Sequence, residues 1–239
     1  IWYCVSLKNW DNKTWLSSKK YIYSFNNFLL KQVKLDKNSH ILDIGCGRGK
    51  ILGSLYSRLR LKNKPIGIDI ESHQDRDKRI HFKKIDATTY LKSNKKKFDL
   101  ILIKQTIHLL NFKEIKKLIF ICKSRLKNKG NIAIFTLETS KNEIPAFSLM
   151  LKKLKLSLER DKKIIRFISK NYRKIKKTRF LFKVKLSRNK YIKMIKNRYI
   201  STLLGLSPSE ISKGINEINR KYQKLLIFND KLICLILEK

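Results

Sequence analysis

The sequence predicts an α/β protein built on a mostly parallel sheet with crossover helices. Three observations carry this. Strand-like and helix-like runs alternate through the first 140 residues, the pattern of strands joined by helices that cross over the sheet faces. The run Ile41-Leu42-Asp43-Ile44 feeds straight into the glycine-rich turn Gly45-Cys46-Gly47-Arg48-Gly49. The run Phe98-Asp99-Leu100-Ile101-Leu102-Ile103 is apolar enough for a central strand buried on both faces.

The first helix is expected over Tyr21–Val33, with Ile22, Phe25, Leu29 and Val33 on one face. His40–Ile44 is a short buried strand ending in the glycine turn, and a helix from about Lys50 to Leu59 leaves that turn. Pro65–Ile70 reads as the second strand and Ile80–Ile85 as the third, finishing at Asp86. After the central fourth strand, Asn111 with Glu114 three residues on makes a capping pattern for a helix carrying Ile115, Leu118, Ile119, Cys122 and Leu126. Gly130 is expected to close that helix, with Asn131–Leu137 as the fifth strand.

The last hundred residues change character. A long amphipathic helix is expected over about Ile144–Tyr172, with Phe147, Met150, Leu154 and Leu158 at helical spacing. Phe180–Leu186 reads as a strand with one solvated face, and Tyr191–Ile200 as a helix. Ser207-Pro208-Ser209-Glu210 is a capping box with Pro at the first helical position, opening a helix to about Tyr222. Leu232–Leu237 is a final strand. No Pro/Gly/Ser-rich linker or repeat divides the chain, so residues 1–239 read as one domain.

Composition narrows the class. No apolar run reaches the roughly 18 residues of a membrane helix, and no secretory signal is visible. Cys4, Cys46, Cys122 and Cys234 are scattered, with no pair at metal-ligand spacing. They read as reduced thiols of a cytoplasmic protein, with no metal site expected. The charge is unusual: 57 Lys+Arg against 18 Asp+Glu give +39. Residues 151–200 alone hold 20 basic and 2 acidic side chains. Such a field attracts polyanions, so nonspecific nucleic-acid binding is expected at the basic surface. A Lys-, Ile- and Asn-rich composition would give the same excess without selection for binding, and both readings stay open.

The glycine turn carries the first chemistry. Glycine lets a backbone pass close to a ligand and tolerates positive φ, and the amides opening the next helix favour a negatively charged group. A dinucleotide fingerprint would need glycine at position 50, where this chain has Lys50. Asp43, two residues before Gly45, would repel a pyrophosphate but welcome an ammonium group. The site therefore suits a zwitterion with a cationic end. Asp69 ends the second strand, placed to accept from both hydroxyls of a ribose, and Asp86 ends the third, where it could accept from an adenine amino group.

Ile41-Leu42-Asp43-Ile44-Gly45-Cys46-Gly47-Arg48-Gly49 resembles motif I of the class I S-adenosylmethionine-dependent methyltransferases. Asp69, Asp86-Ala87 and Phe98-Asp99-Leu100-Ile101 resemble that superfamily's next three landmarks, in order, over residues 38–138. The resemblance implies S-adenosylmethionine as cofactor and a three-layer Rossmann-like fold, its seven-stranded sheet mostly parallel with an antiparallel last strand. It assigns Asp43, Gly45, Cys46, Gly47 and Gly49 to the methionine end, Asp69 with Ile70 to the ribose, and Asp86 and Ala87 to the adenine. Lys104 and Gln105 would lie beside the sulfonium.

The C-terminal part is similar, more loosely, to type-11 and trans-aconitate-methyltransferase-like small-molecule enzymes. That likeness makes 38–138 the cofactor-binding core, 1–33 a helical lid segment and 140–225 a basic region covering the substrate. It implies a small, anionic acceptor, with Arg198 and Tyr199 in the acceptor pocket; a monomer is expected. Arg198 suits a carboxylate as a two-point fork, or is one more exposed cation. His108 is the sole histidine read near the cleft, as a base or acceptor contact, or as a cap on the loop before Asn111. Trp10 and Trp15 precede the first helix, where relatives fold a lid over the cofactor, which makes Trp15 a candidate substrate contact; core packing is the favoured reading of both.

Two other functions compete. Transfer to tRNA or rRNA fits the charge, but Lys104-Gln105-Thr106 is not the Asn/Asp-Pro-Pro-aromatic run of flipped-base amino methylation, and no appended RNA-binding module is visible. A non-catalytic RNA-binding protein on the same fold is the other, against which the intact set of glycines and acids speaks.

Overall fold

The computed structural model describes residues 14–172 and 174–239; Cys4 and Trp10 lie outside them, and the expected N-terminal segment is described from Thr14 onward. Strand β4 (Phe98–Lys104) organises the molecule. Successive side chains of a strand point to opposite faces. Here Leu100 and Leu102 enter one apolar cluster while Ile101 and Ile103 enter another, and all four are fully buried. An uninterrupted aliphatic run is stable in a strand only when helices cover both faces.

The sheet contains β1 (Ile41–Ile44), β2 (Ile66–Asp69), β3 (His81–Lys84), β4, β5 (Leu126–Leu137), β6 (Ile175–Ser187) and β7 (Leu225–Glu238). Their order is β3-β2-β1-β4-β5-β7-β6. The first five run parallel; β7 is antiparallel to both β5 and β6. One face carries α1 (Lys19–Gln32) and α2 (Lys50–Leu59), joined by α6 (Arg188–Lys196) and α7 (Pro208–Lys221). The other carries α3 (Ala87–Ser93), α4 (Phe112–Ser124) and the C-terminal part of α5 (Ser148–Asn171). This is the Rossmann-like methyltransferase arrangement expected from the sequence. Strand order reverses between β1 and β4, and in such sheets ligands bind beyond the carboxyl ends of the strands at that switch point.

Both capping boxes form as read. Asn111 and Glu114 exchange side chain-to-backbone bonds at the start of α4, and Ser207 and Glu210 do so at α7, with Pro208 in the first turn. No described helix is long and apolar enough to cross a membrane.

Several expectations need correction: Leu126 opens β5 and is not part of α4, α5 begins at Ser148 and not at Ile144, and β6 begins at Ile175 and not at Phe180. Gly130 does not close α4, which ends at Ser124 with the Arg125 amide bonded to the Ile121 and Cys122 carbonyls. Gly130 lies inside β5, where the pairing slips between Phe98 and Leu100 and Lys129 takes φ +66°. A Cβ at Gly130 would stand 2.7 Å from the Phe98 carbonyl oxygen, so glycine serves a close backbone approach there. The helix expected to reach Ile200 stops at Lys196. The Arg198 amide bonds the Ile195 carbonyl and the Tyr199 amide reaches back to Met194, with Arg198 left-handed at φ +51°. That is a Schellman ending made without glycine. Finally, β7 starts seven residues before the expected Leu232.

Strand β6 forms one edge of the sheet. Phe180, Val184 and Leu186 are buried, whereas Lys176, Lys177, Arg179, Lys183 and Lys185 are exposed.

Candidate active site

A cleft of about 390 Å³ opens at the carboxyl ends of β1, β2 and β4. Its floor is the turn after β1. Gly45 and Gly47 have φ of +71° and +53°. The Gly45 and Cys46 amides both donate to the Ile68 carbonyl, at 2.9 and 3.1 Å. A Cβ on Gly45 would strike the Thr106 side chain at 2.1 Å, so this glycine lets the turns after β1 and β4 close on each other. A Cβ on Gly47 would meet nothing within 4 Å. Gly49, the N-cap of α2, also lines the cleft.

Asp69 ties the site together. One carboxylate oxygen accepts from the Gly47 amide at 2.8 Å and the other from the Glu71 amide at 3.0 Å. These bonds fix the carboxylate at the cleft wall and leave further lone pairs on each oxygen. Asp86 is the N-cap of α3, accepting from the Thr89 amide at 2.9 Å and its hydroxyl at 3.2 Å. Ile70, Asp86 and Ala87 line the cleft beside it.

Asp43 is buried, 4% exposed. Burial pushes its carboxyl up to about 8; Lys104 opposes the shift and Asp69 adds to it. The same surroundings keep the Cys46 thiol protonated: burial dominates, with Asp43 and Asp69 adding to it. Cys46 therefore contributes backbone, not a nucleophile. The Lys104 ammonium stands 5.5 and 5.6 Å from the Tyr21 and Phe25 ring centres and bonds the Gln105 side chain at 3.2 Å. Gln105 is left-handed at φ +53°, with its amide on the Phe135 carbonyl at 2.8 Å. A left-handed non-glycine residue costs about 1 kcal/mol or more and collects at functional sites.

A second pocket, about 100 Å³, shares Leu16, Gln105 and Leu109 as walls with the cleft. His108, Asp161, Arg198, Tyr199 and Thr202 line it. Burial holds the His108 imidazole below its usual range, against the pull of Asp161. Nη1 of Arg198 bonds the Leu203 and Leu204 carbonyls. The Tyr199 hydroxyl lies 2.8 Å from that of Tyr191.

The structure thus brings Asp43, Gly45, Cys46, Gly47, Gly49, Asp69, Ile70, Asp86, Ala87, Lys104 and Gln105 to one cleft, and His108, Arg198 and Tyr199 to the pocket beside it. Trp15 belongs to neither. Its ring packs edge-on against Tyr199 and Phe228, and its Nε1 donates to buried Asp230 at 2.9 Å, so it is a core residue. His108 is also not the only histidine nearby, because buried His73 lines the cleft together with Glu71. The sequence signal for Glu71 was its place two residues after Asp69; His73 has none. Asp161 was missed too, hidden in a lysine-rich helix.

The donor set suits S-adenosylmethionine. It offers the Asp43 and Asp69 carboxyls toward a cationic amino acid and a ribose and, at Gly47, a glycine with open space beside it. A family model described as a methyltransferase domain matches residues 35–179. No curated protein matches the sequence. Among solved structures, the chain is similar to a protein assigned as a methyltransferase of an antibiotic biosynthesis pathway from Anabaena variabilis. That match has 16% identity and a TM-score of 0.64, covering 89% of this chain and 96% of the other. It is similar also to a SAM-dependent methyltransferase from Archaeoglobus fulgidus, at 21% identity and a TM-score of 0.51, covering 91% and 94%. The plantazolicin methyltransferase BpumL, in complex with a monoazolic desmethylPZN analog and SAH, matches at 17% identity and a TM-score of 0.53, covering 97% and 88%.

Proposed function

The chain belongs to the methyltransferase-domain family, with S-adenosylmethionine as its cofactor, and we propose that its acceptor is a small molecule seated in the pocket beside the cleft. One observation carries this reading: the pocket and the cleft share the wall formed by Leu16, Gln105 and Leu109. Those three residues border both spaces, so a ligand in the pocket lies beside one in the cleft. The small-molecule acceptor of the plantazolicin enzyme supports the same class.

Bound S-adenosylmethionine would supply an already activated methyl group, so the protein's task is alignment more than activation. The turn at Gly45, Cys46, Gly47 and Gly49 with Asp43 would hold the methionine end, Asp69 and Ile70 the ribose, and Asp86 and Ala87 the adenine. Lys104 and Gln105 would border the transferring group. His108, kept neutral by burial, is suited to take a proton from the acceptor atom where the acceptor must lose one. Tyr199 and the turn pinned by Arg198 shape the pocket and exclude water.

RNA methylation is the second reading. It draws on the +39 charge and on Phe120, 73% exposed and grouped with Lys113, Lys116, Lys117 and Tyr172. Incubation with methyl-labelled S-adenosylmethionine separates the two. Label should enter a small-molecule extract and not bulk tRNA or rRNA at physiological salt. Stoichiometric labelling of RNA there would overturn the proposal.

A further inference from the structure

We infer that the acceptor pocket recognises a hydrogen-bond-donating group, a hydroxyl or an amine on a compact apolar frame, and rejects a carboxylate. The inference rests on the small-molecule reading above and makes its chemistry specific.

Asp161 carries the argument. Residues 151–200 hold 20 basic and only 2 acidic side chains, and of the two acids Glu159 is exposed while Asp161 is 3% exposed. Its Oδ2 accepts from the Thr136 hydroxyl at 2.7 Å. Its Oδ1 is buried with no hydrogen-bond partner among the described residues, and no Lys or Arg among them forms an ion pair with it. Thr202 Oγ1 is the second buried polar atom of this pocket without a partner. Native structures pair nearly all such atoms, so each orphan needs an explanation such as a ligand.

The rest of the lining is mostly aliphatic, including Leu16, Leu109, Leu137, Ile144 and Leu154. Burial raises the Asp161 carboxyl, while the Thr136 hydroxyl, His108 and Arg160 pull it back toward the ionised form; ionised, it only accepts hydrogen bonds, whereas a hydroxyl accepts and donates. A ligand N–H or O–H satisfies Asp161 Oδ1, and Thr202 can serve the same group. A ligand carboxylate offers Asp161 Oδ1 no hydrogen to accept, and two acids side by side in a low-dielectric site are costly. Arg198, the fork expected for a carboxylate, already gives Nη1 to the Leu203 and Leu204 carbonyls. Size sharpens the class. With about 100 Å³ of space, the pocket seats a small branched group at Asp161.

Three probes on one carbon frame test this: isobutanol, isobutylamine and isobutyrate, titrated by NMR into protein saturated with S-adenosylhomocysteine. Isobutanol and isobutylamine should bind at least about tenfold tighter than isobutyrate, the value of roughly one charge-assisted hydrogen bond. Asp161→Asn turns an amide toward the ligand and should erase or reverse that order while S-adenosylhomocysteine affinity stays within about twofold. If Asp161→Asn does not fold, Thr202→Val should weaken isobutanol alone severalfold. Tightest binding by isobutyrate, an unchanged order in Asp161→Asn, no effect of Thr202→Val, or no binding by any probe would each overturn the inference. Absence of S-adenosylhomocysteine binding to the wild type would instead sink the cofactor reading beneath it.

Discussion

The cleft at the parallel strands is built on a backbone turn; the pocket beside it is built mostly from side chains, drawn from the loop after β4, from α5 and from the turn after α6. Around β1 and β2 the parts are three left-handed glycines, paired amides on the Ile68 carbonyl, and the Asp69 carboxylate clamped by the Gly47 and Glu71 amides. Around α5 and the turn after α6 they are Asp161, His108, Tyr199 and Thr202, brought together by helix packing. The first kind of site depends on local geometry and binds a constant ligand. The second can change its selectivity by one substitution without disturbing the fold.

The sharpest way to break this contrast is at Gly45 and Gly47. Gly45→Ala combines left-handed strain with a Cβ 2.1 Å from Thr106. It should cost about 2–4 kcal/mol of stability and abolish S-adenosylhomocysteine binding. Gly47→Ala carries the strain without the clash, about 1–2 kcal/mol. It should stay folded yet lose more than about tenfold in affinity, because its methyl projects into the cleft. Thermal melts and calorimetry giving the same damage for both variants would erase the distinction.

Asp69→Ala comes next. Loss of a charged acceptor should weaken S-adenosylmethionine about ten- to a hundredfold, and loss of the amide clamp should lower stability by about 1–3 kcal/mol. Equal affinity for wild type and variant would remove Asp69 from the cofactor site.

Proton linkage gives a smaller effect with a definite sign. The Asp43 carboxyl is raised to about 8 in the fold by burial, above its unfolded value of about 4. Its contribution to the stability of the ligand-free protein is therefore fully present below pH of about 4 and fades as pH rises through about 8. A cationic ligand favours the ionised form. Binding near pH 7 should release up to about one proton, and affinity should rise by up to about tenfold from pH 6.5 to 7.5. Calorimetry in buffers of different ionisation enthalpy reads this directly. Asp43→Asn should flatten both slopes, and proton uptake on binding would contradict the assignment.

On the side-chain half, Arg198→Ala should leave S-adenosylmethionine affinity intact while lowering kcat/KM for the acceptor about fivefold, the worth of roughly one hydrogen bond. Arg198→Lys should restore part of it, since both carbonyl bonds come from the single nitrogen Nη1 and an ammonium can replace one of them. An unchanged kcat/KM would return Arg198 to the basic surface.

The same contrast explains what could be read beforehand. The glycine turn, Asp69 and the boxes at Asn111 and Ser207 are signals written within a few residues, and the fold places them as expected. The features that were hidden depend on residues far away in sequence. Gly130 looks like a helix stop, but the nearby Phe98 carbonyl fixes its role. The end of α6 gives no warning because Arg198 adopts the left-handed shape that glycine usually signals. The first half of β7 ends in Asn229 and Asp230, poor strand formers, yet Asp230 is buried beneath Trp15. Asp161 becomes informative only once α5 lies against the loop bearing His108.

The exposed cations of β6 have a consequence for solubility. A 13-residue edge strand presents a row of unsatisfied backbone groups that could template pairing with another chain. Lys176, Lys177, Arg179, Lys183 and Lys185 stand along that edge, so two such edges brought together would repel. Polyanions or high salt screen that repulsion. The same conditions that neutralise the molecule's charge should therefore be those under which its copies begin to associate edge to edge.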